Sequence, residues 1–339
     1  MSKRRSFSTA AAAIIFAGAF MLGSGPAAAQ PVKLRAGWVL TPASLIPLML
    51  EKPGLVKHNG ISYQLEPVRV QASPMQITGL ASGDLEIGTL GYSSVSFAIL
   101  NAGLKDIRVL ADEVQDGYKD YASFAFVVKK DSPIRKVEDL KGKVLAVNGL
   151  GTGVDMAMSA MLRKHGLQKK DYTTLEIGFP NMKTVLAEGK ADMVTYAIPF
   201  SEDPEFQAMS RILFSSKDSM GTSELSFMVA RAGFIAKNRK AMVDFFEDYL
   251  RAIRWYTDPA NHKEAVEIVS RVTKIPPERF DSWVFTKKDY FRDPDGLPNL
   301  VDLQRNIKVQ KSLGLIKADI DVPKFADLSL VKEAAKRLK

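Results

Sequence analysis

The apolar positions of this chain fall into a pattern that occurs twice. Residues 35–55 read RAGWVLTPASLIPLMLEKPGL, and residues 147–167 read VNGLGTGVDMAMSAMLRKHGL. Each is a short strand, a turn, a run with apolar residues at helical spacing, and a closing Gly-Leu, at Gly54-Leu55 and Gly166-Leu167. Glycine suits the left-handed residue that follows a helix. A second pair follows in the same order. LASGDLE at 80–86 matches LAEGKAD at 186–192, so a helix is expected to end at Gly83 and at Gly189. A strand then follows each, EIGTL in one case and DMVTYAI in the other.

Two copies of β–α–β–α–β are therefore expected, spanning about residues 32–100 and 143–200. Strands alternating with helices predict parallel sheets covered on both faces. Two such units predict two α/β lobes, with a cleft where the helix N-termini converge beyond the strand ends. Phe124–Val128 and Leu225–Val229 read as extended apolar strands on either side of copy two. They are expected to carry the chain out and back as a two-stranded hinge. On this reading residues 30–124 and 229–339 form the first lobe and 125–228 the second. From Arg239 onward the pattern is helical, in AMVDFFEDYLRAIRWYTD and NHKEAVEIVSRVT, with Pro276-Pro277 opening a third helix. Phe245, Phe246, Leu250, Ile253 and Trp255 are expected in the core. DLSLVKEAAKRLK reads as a closing helix with a basic last turn, as the helix dipole favours.

Composition changes this picture at the N-terminus. Lys3, Arg4 and Arg5 precede the apolar stretch Ala10–Leu22, and Ala27-Ala28-Ala29 is a small-residue cleavage pattern. Residues 1–29 read as an export signal cleaved near Ala29, and Arg4-Arg5-Ser6-Phe7 partly fits the twin-arginine variant. The chain has no cysteine, so an exported product has no disulfide and no lipoprotein anchor. A free periplasmic monomer is the expectation. Removing the signal takes away three of the 47 basic residues and none of the 38 acidic ones. The remaining basic residues are scattered and form no stripe with aromatics, so nucleic-acid binding is not expected.

The chemical motifs point to binding and not to catalysis. Gly149-Leu150-Gly151-Thr152-Gly153 resembles a dinucleotide fingerprint but misplaces its third glycine. No phosphate-binding loop ending in Gly-Lys-Ser/Thr is present. His58, His165 and His262 lack metal-ligand spacing, so neither metal nor cofactor is expected. Thr152 fits an N-cap with Asp155 three positions on, and Thr41-Pro42 puts proline at a helix start. The backbone N–H groups of Gly153 and Val154 remain available to a ligand. Gly153, at the first helical position, is expected to tolerate a side chain in the fold while a bound acid would not. Gly91-Tyr92-Ser93-Ser94, Pro180-Asn181-Met182 and Tyr196–Phe200 mark further cleft ends of strands.

At these residues the chain resembles the solute-binding proteins of ABC importers, of the nitrate/sulfonate/taurine type, which include thiamin-pyrimidine relatives. The matching pieces are the strand-turn-helix at 33–55, LASGDLEIGTLGYSS, SPIRKVEDLKGKVLAVNGLGTG and VLAEGKADMVTYAIPF. The resemblance implies the two-lobed α/β fold of a periplasmic-binding-protein clamshell of type II, with ligand trapped between closing lobes and delivered to a permease in the inner membrane. Carried over by position, the contacts come from Trp38, Thr41 and Ser44, from Gly91, Tyr92, Ser93 and Ser94, and from Thr152, Gly153, Val154, Asn181, Tyr196 and Pro199. Trp38 and Tyr92 are bulkier than the family's small residues, and Asp155 adds negative charge. The expected ligand is therefore a small organic acid, a sulfonate, carboxylate or aromatic acid, in place of an inorganic anion. A thiamin-pyrimidine-type ligand, a sensor for a membrane receptor and an exported α/β enzyme are the alternatives. The family's pyrimidine-synthase enzymes carry a cysteine motif that is absent here.

Overall fold

The computed structural model describes residues 30–339, and the export-signal expectation lies outside them. The first copy runs β1 Val32–Trp38, α1 Ile46–Met49, β2 Tyr63–Arg69, α2 Ser73–Ser82, β3 Ile87–Gly91 and α3 Tyr92–Leu100. The chain then enters β4, Ile107–Asp116, and crosses to β5, Phe124–Lys129. The second copy runs β6 Val144–Val147, α4 Gly153–Lys164, β7 Thr173–Glu176, α5 Met182–Ala187 and β8 Met193–Ala197. After α6 Pro204–Met209 and β9 Ser210–Ser215 come α7 Ser216–Met220 and β10 Ser223–Arg231. Helices α8 Ala232–Lys237, α9 Arg239–Tyr256, α10 His262–Thr273, α11 Leu300–Ser312 and α12 Ser329–Arg337 complete the chain.

The internal repeat is present in the topology. One sheet has the order β2-β1-β3-β10-β4 and the other β7-β6-β8-β5-β9. In each, the three strands of a copy are parallel, and the two added strands run antiparallel to them or to each other. The sheets are therefore mixed, where alternation of strands and helices alone predicts parallel ones. The antiparallel strands build the crossing. β4 pairs with β10 in the first sheet, and β5 pairs with β9 in the second, so two antiparallel ribbons run from sheet to sheet. The crossings themselves are residues 117–123 and 216–222, so the return to the first sheet begins at Ser223, ahead of the lobe boundary read at 229.

Asp116 ties the two crossings together. Its buried carboxylate accepts from Ser123 N at 2.6 Å, from Ser123 Oγ at 2.5 Å, and from Ser216 Oγ.

Local chemistry explains several boundaries. Gly83, Gly166 and Gly189 end helices with φ of +81°, +79° and +70°, where a side chain would be strained. Gly54 differs from its counterpart Gly166: it sits inside a single 3-10 turn at Pro53–Leu55. Thr152 caps α4, its Oγ1 accepting from Asp155 N at 3.2 Å. Thr41-Pro42 starts no helix. Residues 41–43 form a turn, and the helix begins at Ile46 with Pro47 in its first turn. Phe245, Phe246, Leu250 and Ile253 of α9 are buried, Trp255 half-buried, and Pro277–Arg279 forms only a 3-10 turn. Among the described residues no helix is long and apolar enough to cross a membrane.

Candidate functional site

A cavity of about 130 Å³ lies where strand ends of both sheets meet. The first sheet's side supplies Val39, Leu40, Ala43 and Ser44 after β1, Ala72 and Ser73 at the start of α2, and Thr89 and Gly91 of β3. Glu113 and Val114 of β4 and Leu225 and Ser226 of β10 line it as well. The second side supplies Ser123, Phe124, Asn148, Thr152–Val154, Phe179 and Ala197. Tyr290, from the loop before α11, completes the wall. The position is the one that parallel α/β units dictate, beyond the carboxyl ends of their strands. The volume is close to the ~150 Å³ that holds a single benzene ring.

Of the residues expected at the site, Ser44, Gly91, Thr152, Gly153 and Val154 line this cavity. The others lie elsewhere. Tyr92, Ser93 and Ser94 are buried, and their hydroxyls are turned onto the glycine turn of the second copy. Tyr92 Oη donates to Gly153 O at 2.7 Å, Ser93 Oγ to Gly151 O at 2.8 Å and Ser94 Oγ to Gly151 O at 3.3 Å. The N-termini of α3 and α4 thus form a seam between the lobes. A β-carbon on Gly91 would lie 3.6 Å from Gly153 N. A β-carbon on Gly153 would lie 3.2 Å from Leu225 Cδ1 and 3.3 Å from Tyr92 Cε1. A side chain at Gly153, expected to fit freely, would therefore press on Leu225 and Tyr92.

Trp38 is half-buried against the core of the first lobe, with the Arg69 guanidinium 5.6 Å above its ring. Thr41 is buried in the turn whose Pro42 carbonyl accepts from Arg292 Nη2 at 2.5 Å. Tyr196 packs edge-on to Phe206, and its hydroxyl donates to Ser201 O at 2.7 Å. Pro199 borders a separate cavity of about 90 Å³ with Phe179, Phe200 and Phe280. Asn181 is exposed in the turn before α5 and lines neither cavity.

Sequence reasoning missed Glu113, Ser226, Phe124, Phe179 and Tyr290. For Glu113 a signal existed: the pair Asp112-Glu113 interrupts the apolar run IRVLA of a strand. Glu113 is 2% exposed. Burial pushes its carboxyl up to about 7, against the opposing influence of the nearby Ser44 hydroxyl, the hydrogen bond from Ser226 and the charge of Arg292. Its neighbour Asp112, facing the other way, is raised by burial too, as is Glu224 on β10 beside it. The acid of Asp155 is engaged, accepting from Gly151 N at 2.9 Å, and burial raises its pKa. Glu176, the last residue of β7, accepts from Leu150 N at 2.9 Å.

One group among the described residues could hold a metal ion by geometry, His58 with Asp244 and Glu247, whose ligand atoms lie within 4.8 Å of one another. Both carboxylates are already paired. Asp244 meets Lys240 at 2.9 Å and Arg337 at 2.8 Å, and Glu247 meets Arg251 at 2.6 Å. The cluster reads as an ion-pair network on α9.

Comparison with known proteins agrees with this geometry. Residues 117–262 match the family model NMT1/THI5 like. The fold is shared with the alkanesulfonate-binding protein SsuA from Xanthomonas axonopodis pv. citri, described bound to MOPS, at TM-score 0.68 and 18% identity over 89% of this chain and 100% of that one. It is shared with the periplasmic nitrate-binding protein NrtA from Synechocystis PCC 6803 at 0.71 and 15%, over 91% and 89%. The desulfurization enzyme DSZB has it too, at 0.64 and 15%, over 91% and 100%. No curated protein matches the chain. The fold implied by the resemblance read from the sequence is thus the fold shared with the sulfonate- and nitrate-binding proteins, and the family-model match covers residues 117–262.

Proposed function

We propose that this protein is the periplasmic substrate-binding component of an ABC importer, capturing a small organic solute between its lobes and handing it to a permease in the inner membrane. The observation that carries the reading is the single-ring cavity bounded by strand ends of both sheets. Residues from both lobes must close on a solute there, so affinity and closure are one event. The likeness to sulfonate- and nitrate-binding proteins supports the role. The cysteine-free composition and the signal-like residues 1–29 support export to the periplasm, and the monomeric state belongs to the same proposal.

The organic-acid expectation takes a definite form in this cavity. Its lining residues include no Lys or Arg. The cation that borders the adjoining outer cavity of about 360 Å³, beside Val39, Leu40, Asn148 and Phe179, is the exposed Arg69. An acidic group on the solute is therefore assigned to the mouth and not to the floor.

A thermal-shift screen of sulfonates, carboxylates, aromatic acids and pyrimidines tests the role. A solute that binds the folded protein at a hundredfold excess over Kd stabilises it by about 2.7 kcal/mol. The melting point rises with such a solute and not with NAD or ATP; a rise with a nucleotide alone contradicts the proposal. The enzyme reading, favoured by the shared fold of the desulfurization enzyme, is checked by recovering the bound solute: it is unchanged for a binding protein and converted for an enzyme.

A further inference from the structure

Around Glu113 most of the hydroxyls that line the cavity already donate to the protein. Tyr290 Oη donates to Ile198 O at 2.7 Å, Thr89 Oγ1 to Gly37 O at 2.9 Å and Thr152 Oγ1 to Gly149 O at 2.8 Å. Ser123 Oγ donates to Asp116, and Ser226 Oγ to Glu113 Oε2 at 2.7 Å. These hydroxyls have spent their protons on the protein. The other carboxylate oxygen, Glu113 Oε1, is buried and accepts no hydrogen bond of normal geometry. The surrounding walls are Val39, Leu40, Phe124, Val154 and Leu225. A buried, half-satisfied carboxyl costs several kcal/mol if ionised, so it asks for a complement. The nearest buried cation, Arg292, acts on Glu113 by its charge and makes no hydrogen bond to it. Its Nη1 and Nη2 are held by Pro42 O at 2.5 Å, Tyr290 O at 3.2 Å and Asp289 at 3.5 Å, and it does not line the cavity.

We infer that the inner end of the solute is a nitrogen donor, an ammonium, amidinium or ring amino group, which hydrogen-bonds Glu113. Glu113 is then a specificity-determining residue, and a solute ending in a carboxylate or sulfonate beside it meets only the protonated carboxyl and is disfavoured at pH 7 and above. The inference rests on the solute-binding reading and deepens it. It carries a proton signature. Ser44 after β1, Ser226 on β10, Arg292 and Tyr290 of the 289–293 segment, Tyr249 on α9 and Asp112 on β4 are the polar and charged groups around Glu113. With its carboxyl near neutrality in the free protein, a cationic donor binds the charged form and expels a proton at pH 7.

The test uses three probes with one ring and different heads: benzamidine, benzoate and benzenesulfonate, titrated by calorimetry at pH 7 in two buffers of different ionisation enthalpy. Benzamidine binds at least tenfold tighter than either acid, with proton release. A hydrogen bond to a charged group is worth about 10- to 150-fold in affinity, and Glu113→Gln erases that preference while the melting curve stays cooperative. Ser226→Ala, which removes a donor to the carboxyl, lowers benzamidine affinity at pH 7 and shifts its pH midpoint upward. Acids that bind as tightly as benzamidine, a preference that survives Glu113→Gln, or no binding of any probe overturns the inference. Val39→Trp fills the cavity from its rim and separates the two failures. Acid binding that Val39→Trp abolishes leaves the cleft reading intact and sinks the nitrogen donor; binding that survives Val39→Trp sinks the cleft reading itself.

Discussion

Gly153→Ala is a small change at the point where the lobes meet. The new β-carbon would lie 3.2 Å from Leu225 Cδ1 and 3.3 Å from Tyr92 Cε1, so both neighbours must give by a few tenths of an ångström. Leu225 is half-buried and can yield. Tyr92 is 1% exposed and pinned by its hydroxyl to Gly153 O at 2.7 Å, so the ring retreats only by stretching that bond. Overpacking of this kind costs about 1–3 kcal/mol. The glycine-to-alanine gain in a helix interior is about 1 kcal/mol and is smaller at this first helical position, so the net effect is destabilising, by at most about 3 kcal/mol. For a chain of this size that lowers Tm by about 2–4 °C per kcal/mol or slightly less. Differential scanning calorimetry reads it directly. Adding Tyr92→Phe gives a double-mutant cycle with a coupling of at least about 0.5 kcal/mol, since the two residues share one contact. An unchanged or higher Tm for Gly153→Ala, or strict additivity with Tyr92→Phe, would refute the packed seam.

Other consequences follow from buried charge and packing. Asp116→Ala leaves the Ser123 and Ser216 hydroxyls without their acceptor at both crossings and costs about 1.5–3 kcal/mol in urea unfolding. Glu113 and Asp112 have folded pKa values raised by burial, so the folded state holds more protons than the unfolded one between about pH 4 and 7. Their contribution is greatest below that window and is lost as pH rises through it, on the order of 3 kcal/mol per carboxyl, and Glu113→Gln flattens the slope of a pH–stability profile. Trp38→Ala lowers stability by about 2–3 kcal/mol, because its ring packs on the core of the first lobe, and alters solute affinity less than Glu113→Gln does.

Much of the fold was legible because repeated backbone demands leave repeated residues. Gly83 and Gly189 occupy left-handed positions that only glycine fills cheaply, and they mark equivalent helix ends in two sheets of matching order. Thr152 announced the start of α4 through a bond only three residues long. What stayed hidden depends on residues far apart in sequence. Nothing near Tyr92 or Ser93 tells that their hydroxyls meet the carbonyls of Gly153 and Gly151 some sixty residues on, so helix-start residues that looked ready for a ligand are in fact engaged by the other lobe. The antiparallel places of β5 and β10 likewise follow from pairing partners and not from their own apolar pattern, which suits either direction. Glu113 was visible as a charge in an apolar strand, but only the cavity gives it a purpose.

Hydrogen–deuterium exchange with the solute found by the thermal screen tests the central claim most directly. Solute trapped between the lobes protects amides on both sides of the cavity together, at 39–44, 89–91, 113–114 and 225–226 from the first sheet and at 148–154 from the second. Protection confined to one lobe, or centred away from these segments, would contradict the account.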